Sequence, residues 1–162
     1  MIVLVGFMGA GKTTVGGLLA GNLGVPFTDS DQEIEFRAGK PVRRIFADDG
    51  EPAFRQLEHE VIAELLRGER KVLALGGGAA SHDGTRALLA AVPVVYLRVS
   101  YAEAMSRVGG DRGRPLLARP GVAELYRDRD PLYASVATLT VDADGRSPGD
   151  LALDILARLG PS

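Results

Sequence analysis

Gly6-Phe7-Met8-Gly9-Ala10-Gly11-Lys12-Thr13 fits the pattern G-x-x-x-x-G-K-[ST] and lies between a short β-branched run, Ile2 to Val5, and a segment with helical apolar spacing. In that context glycines let successive backbone N–H groups turn inward around phosphates, and the following helix N-terminus adds partial positive charge. Lys12 can reach the β and γ phosphates, and Thr13 offers a hydroxyl to Mg²⁺. Gly9, Ala10, Gly11, Lys12, Thr13 and Thr14 are therefore candidate ATP-binding residues.

Asp29 and Asp31 follow at the end of an extended segment, two residues apart, so a period-two strand would aim both carboxylates the same way with Ser30 opposite. Asp29 then suits a magnesium ion held through water, and Asp31 suits the hydroxyl of a phosphoryl acceptor. The alternative is a solvated loop in which Asp31 caps the next helix. Arg55 and Glu58 share a helix face at i, i+3, which by itself is an ordinary ion pair. Next comes an apolar strand running into Gly76-Gly77-Gly78, where a ligand can approach the backbone closely. An arginine held by Glu58 above those glycines can receive a carboxylate bidentately.

Seven arginines and no lysine lie between Arg98 and Arg129. Arg112, Arg114 and Arg119 fall in a stretch rich in Gly, Pro and Asp, about residues 109–121, that reads as a mobile lid. Arg114, between Gly113 and Pro115, is the candidate to close over the transferring phosphoryl. Arg146, in Asp-Gly-Arg-Ser-Pro, either stacks on an adenine ring or is a surface turn residue.

The elements that position these groups alternate. Strands are expected at Ile2–Val5, Val25–Thr28, Lys71–Leu75, Val94–Val99 and Thr138–Val141, as short apolar runs. Helices are expected over 11–23, 32–37, 42–47, 51–66, 83–91, from a Ser100 cap to 108, over 122–129 and over 148–159, with Pro131-Leu132-Tyr133 a separate segment. Buried strands separated by helices imply an α/β fold with a parallel sheet, whose ligands bind at the strands' carboxyl ends.

With 162 residues, one domain spanning 1–162 is expected. The chain has no Cys and only His59 and His82, which excludes thiol catalysis, disulfides and multi-histidine metal centres. A net charge of -2 argues against nucleic acid or anionic membrane as partner, and no apolar run approaches the roughly 18 residues of a membrane helix. The first residues show neither a basic n-region nor a cleavage site, so the cytoplasm is the expected compartment.

Together these residues resemble the shikimate kinase family across nearly the whole chain. The resemblance rests on Gly6 to Gly16, Asp29-Ser30-Asp31, Phe54-Arg55-Gln56-Leu57-Glu58, Ala74-Leu75-Gly76-Gly77-Gly78, Arg114-Pro115-Leu116-Leu117 and Arg129-Asp130-Pro131-Leu132-Tyr133. It implies transfer of the ATP γ-phosphoryl to the 3-hydroxyl of shikimate. Asp31, Arg55, Gly77, Gly78 and Arg129 would hold shikimate, and Lys12 and Arg114 would stabilise the transferring group. Arg107 and Arg146 would flank adenine, Thr13 would bind Mg²⁺, and Asp29 would reach the metal through water. The implied architecture is a three-layer P-loop fold of the nucleoside monophosphate kinase type, with a five-stranded parallel sheet, an acceptor-binding region over about 31–60, and a monomeric state. Ala74 stands where many members carry Ser. The rival readings are a kinase of the same architecture acting on gluconate or a nucleoside monophosphate, and a nucleotide-dependent regulatory module. A guanine-reading N-K-x-D motif is impossible, because Asn22 is the only asparagine and Leu23 follows it.

Overall fold

The computed structural model describes residues 1–108 and 121–160. Five strands, β1 (Ile2–Val5), β2 (Phe27–Asp29), β3 (Val72–Ala74), β4 (Val94–Arg98) and β5 (Leu139–Asp142), pair in parallel in the order β2-β3-β1-β4-β5. β1, β3 and most of β4 are buried, as expected of strands covered by helices on both faces. The connection leaving β1 runs to β2 on one side, and the one leaving β3 runs to β4 on the other. A crevice therefore opens above the carboxyl ends of β1 and β3. In register, Asp29 lies beside Ala74, and Ala74 beside Leu4, which brings the loops after β1, β2 and β3 level.

Among the described residues the helices are α1 (Lys12–Leu23), α2 (Ser30–Ala38), α3 (Val42–Asp49), α4 (Glu51–Arg67), α5 (Asp83–Leu89), α6 (Tyr101–Val108), α7 (Val122–Val136) and α8 (Pro148–Leu159). The main core lies on both faces of the sheet, and Val3, Leu4, Leu73, Val94, Val95 and Leu97 are fully buried. Ile34, Ile45, Phe54 and Val61 form a second core between α2, α3 and α4, so the region expected to bind the acceptor packs around apolar residues of its own. Arg37 of α2 pairs with Glu33 and, through both terminal nitrogens, with Glu64 of α4. These ion pairs are exposed, so apolar packing rather than charge holds the three helices together.

Two expectations are corrected and one element is added. The strand before Asp31 stops at Asp29, whose Oδ1 accepts the N–H groups of Asp31 (2.9 Å) and Gln32 (3.3 Å). Helix α2 thus begins at Ser30, Asp29 is its cap, and the two aspartates are related by a helix start and not by strand alternation. Second, α7 continues through Pro131 to Val136 instead of ending near Arg129. Proline removes one helical hydrogen bond, but hydroxyl anchors on both sides of it keep the axis in place. Tyr126 donates to the Val99 carbonyl (2.6 Å), Tyr133 donates to the Gly77 carbonyl (2.5 Å), and Tyr96 donates to Asp130 (2.5 Å). Third, Ala79–Ser81 forms a short 3-10 turn that had no counterpart in the periodicity. The expected lid, with Arg112, Arg114 and Arg119, lies outside the described residues apart from Gly121.

Ile34 is fully buried in the second core, so Ile34→Ala is expected to lower stability by about 2–5 kcal/mol. Urea unfolding followed by circular dichroism measures this directly.

Candidate active site

Helix α1 starts immediately after Gly11, whose φ of 90° is left-handed and therefore suits glycine. No side chain caps this N-terminus and no acidic residue occupies its first turn. The N–H groups of its first turn and its positive dipole end form an anion site, and among the described residues no side-chain cap competes for it. Lys12 donates to the carbonyls of Gly6 (2.5 Å) and Phe7 (3.3 Å), which holds its ammonium against the loop where phosphates would sit. Thr13 Oγ1 donates to Asp29 Oδ2 at 3.4 Å, a long contact between two hard oxygen donors at the ends of different elements. No cluster of three acidic or histidine ligands occurs among the described residues. Thr13 and Asp29 alone would supply part of a magnesium coordination shell, which fits an ion that keeps its waters and takes phosphate oxygens. Ala74, in register with Asp29, adds no polar atom there.

Each of the three glycines after β3 faces one charged side chain. A Cβ at Gly76 would come within 2.9 Å of Asp31 Cγ, one at Gly77 within 3.1 Å of Arg129 Nη1, and one at Gly78 within 2.5 Å of Arg55 Cζ. The side chains come from α2, α7 and α4, and they converge only because the backbone between them is bare. Ser30, expected to point away, is fully buried, and its hydroxyl accepts the Gly76 N–H at 3.1 Å, tying the start of α2 to this loop.

Arg55 is the most constrained of the group. Its Nη1 donates to Glu58 Oε1 at 2.8 Å, and its guanidinium lies 5.2 Å from the Phe54 ring centre and 5.7 Å from that of Phe46. Its Nε, 3.5 Å from Glu51 Oε1, and the second oxygen of Glu58 are buried without a hydrogen bond among the described residues. Such groups cost free energy until a ligand or water satisfies them. Burial pushes the Glu58 carboxyl up to about 7, against the pull of Arg55, with Asp31 adding to the rise and Arg129 opposing it. Asp31 is pushed up to about 6, chiefly by burial and then by neighbouring Asp29, while Lys12 and Arg55 act in the opposite sense. A carboxylate with such a value is ionised at neutral pH yet basic enough to accept a proton from an attacking hydroxyl. Burial also pushes the Tyr133 hydroxyl up to about 12, so it stays a neutral donor to Gly77.

A family profile described as shikimate kinase matches residues 8–160. The chain belongs to the shikimate kinase family. It is 51% identical to the shikimate kinase of Thermobifida fusca, over all of this chain and 95% of that protein. It is 49% identical to that of Mycobacterium tuberculosis, over 97% of this chain and 92% of that one. Among solved structures, the shikimate kinase from Acinetobacter baumannii in complex with shikimate superposes with a TM-score of 0.90 at 42% identity, covering 98% of this chain and 91% of that one. A gluconokinase from Sinorhizobium meliloti reaches a TM-score of 0.62 at 22% identity, which shows a shared fold only. The five-stranded parallel sheet and P-loop of this family member are those expected of the nucleoside monophosphate kinase type.

Within this family member, the structure brings Asp31, Arg55, Gly77, Gly78 and Arg129 together, and Lys12, Thr13 and Asp29 beside them. Arg107 and Arg146 lie near one another across Ala143, but Arg146 is paired with Asp154 at 2.9 Å. Arg114 lies outside the described residues. Sequence reasoning missed Ser30, Tyr96 and Tyr126. Only the Asp-Ser-Asp spacing carried any signal of the first, and the tyrosines act over separations of about thirty residues with no local pattern.

The raised carboxyls make a pH prediction. A carboxyl whose pKa is higher in the folded than in the unfolded chain stabilises the fold below its unfolded value, and that contribution fades as pH rises through its folded value. For Glu58 the window runs from about 4.5 to about 7. The urea midpoint of the wild type is therefore expected to fall more steeply over that window than that of Glu58→Gln. Parallel midpoint curves for the two proteins would remove Glu58 as the source.

Proposed function

We infer that this chain is an ATP-dependent kinase that transfers the γ-phosphoryl of ATP to the 3-hydroxyl of shikimate, giving shikimate 3-phosphate and ADP. The observation that carries the reading is the convergence of Arg55, Arg129 and Asp31 on Gly76-Gly77-Gly78 beside an uncapped P-loop helix. Two guanidiniums over bare backbone suit a planar carboxylate, and an aspartate on the same strip suits a ring hydroxyl. That pairing of groups on one small molecule favours shikimate over gluconate or a nucleoside monophosphate.

In this reading Arg55 and Arg129 receive the acceptor's carboxylate, with the Gly77 and Gly78 backbone against its ring. Glu58, Phe46 and Phe54 hold Arg55 in one orientation, so little of its side-chain freedom is lost when the acceptor binds. Asp31 orients the attacking hydroxyl toward the γ-phosphorus and takes up its proton. Lys12 and the N-terminus of α1 gather the β and γ phosphates, and Gly9, Ala10, Gly11 and Thr14 line that cradle. Arg114 neutralises charge on the transferring group. Thr13, and Asp29 through water, would hold Mg²⁺, which supplies charge neutralisation on the phosphate oxygens. Arg107 and Arg146 flank the adenine. Phosphoryl transfer has a loose transition state, so positioning and charge dominate over base strength. We further assign the protein to the cytoplasm as a monomer with no nucleic-acid or membrane partner, the last of these supported by its net charge of -2. Among the described residues, no helix is long and apolar enough to cross a membrane.

Magnesium-dependent ADP release is expected with shikimate and not with gluconate, AMP, CMP or no acceptor, with Lys12→Ala as the blank. Release that follows another acceptor would discard the roles given to Arg55 and Arg129. Asp31→Asn is expected to lower turnover by roughly 10² to 10⁴ while ADP affinity stays near wild type. A parallel loss of ADP affinity would place Asp31 in the nucleotide site instead.

A further inference from the structure

Arg107, in the last turn of α6, touches three segments at once. Its Nη1 donates to the carbonyls of Gly9 (3.1 Å) and Ala10 (3.4 Å) in the P-loop, and its Nη2 to the carbonyl of Ala143 (3.2 Å) just past β5. The same Nη2 donates to Glu103 Oε1 at 2.7 Å, one helical turn earlier. Glu103 has a second task, since its two oxygens lie 3.1 and 3.2 Å from the backbone N–H of Gly145, which donates to them. The neighbouring Asp144 accepts the Ser100 N–H at 2.8 Å, so the turn after β5 is fastened along the start of α6.

On an exposed helix an i, i+4 ion pair contributes only a few tenths of a kcal/mol. Here the pair matters for geometry. All peptides among the described residues are trans, and a trans peptide sets its C=O and N–H on opposite sides. Holding the Ala10 carbonyl toward Arg107 therefore sets the Gly11 N–H on the other side of that peptide. Holding the Gly9 carbonyl does the same for the Ala10 N–H, which closes the loop on the Phe7 carbonyl at 3.1 Å. An arginine free to rotate would not fix these planes. One whose Nη2 is already committed to Glu103 and Ala143 presents Nη1 to the P-loop in one orientation.

We propose that Glu103 is a positioning residue for the nucleotide: by holding Arg107 and the Gly145 N–H together, it sets the phosphate loop and the Ala143–Gly145 turn at one separation. The two ends of a nucleoside di- or triphosphate are then bound by one braced unit. The proposal rests on the P-loop binding the phosphates of ATP and on the adenine lying by Arg107 and Arg146, as argued above.

The test is titration calorimetry of Glu103→Gln with ADP, with inorganic pyrophosphate and with shikimate, alongside steady-state kinetics. Loss of a charge-assisted bond of this kind is expected to weaken ADP roughly ten-fold, with pyrophosphate weakened in the same direction. The KM for ATP rises while shikimate affinity, the KM for shikimate and the thermal midpoint stay near wild type. Arg107→Lys gives the same pattern independently of how Glu103→Gln folds, and the double variant is less than additive. Unchanged ADP affinity overturns the proposal. So does weakened ADP with unchanged pyrophosphate, which would confine Glu103 to the turn. A fall in shikimate affinity and thermal midpoint in step with ADP would make Glu103 a general stabiliser and also overturn it. A wild-type protein that binds neither ADP nor pyrophosphate would refute the P-loop reading itself, a different result.

Discussion

A stretch of backbone can be approached from three sides by charged side chains only if it carries none of its own. Gly76, Gly77 and Gly78 meet that condition, and Asp31, Arg129 and Arg55 fill the space that three Cβ atoms would otherwise occupy. The loop is placed by the sheet, because β3 lies between β1 and β2 and ends level with both. Ser30 then fixes its first residue through the Gly76 N–H, and Tyr133 fixes its second through the Gly77 carbonyl. The acceptor side of the site is thus a bare strip of main chain pinned by two hydroxyls, with the charges delivered from separate helices.

The phosphate side obeys a complementary rule. Helix α2 is capped by Asp29, whereas α1 begins at a left-handed glycine with no side-chain cap and no acid in its first turn. One helix start has two of its donors capped by an aspartate, and the other carries no side-chain cap and faces the phosphate loop. Asp29 links them, since one oxygen caps α2 and the other lies beside the Thr13 hydroxyl. Packing acids and arginines into this space buries Asp31 and Glu58, and that burial is what chiefly perturbs them. Both carboxyls are raised, and the cations around them limit the rise.

Helix α7 couples the two sides. Tyr126 packs edge-on to Phe7 of the P-loop with ring centres 5.2 Å apart and also donates to Val99, and Tyr133 reaches Gly77 on the other side of Pro131. Arg129 lies between these anchors, so its position over Gly77 follows from two hydroxyls and not from helix propensity. The proline that reads as a break in the sequence is accommodated because the hydrogen bond it removes is small beside the packing and hydroxyl contacts that hold the helix.

The sequence alone determined whatever depends on neighbours along the chain. The P-loop is legible because its glycines, Lys12 and Thr13 are contiguous, and the strand and helix order is legible because burial on both faces writes continuous apolar runs. The Arg55 and Glu58 pair could be read from helical spacing, as could the three bare glycines after an apolar strand. Only the tertiary structure decided that Asp29 ends its strand and caps α2, because a cap depends on where the next helix starts. It also decided which glycine each charge faces, that Ser30 is buried, and that α7 runs through Pro131. Those outcomes rest on contacts between residues tens of positions apart, whose geometry is set by sheet register and helix packing, and no local periodicity encodes them.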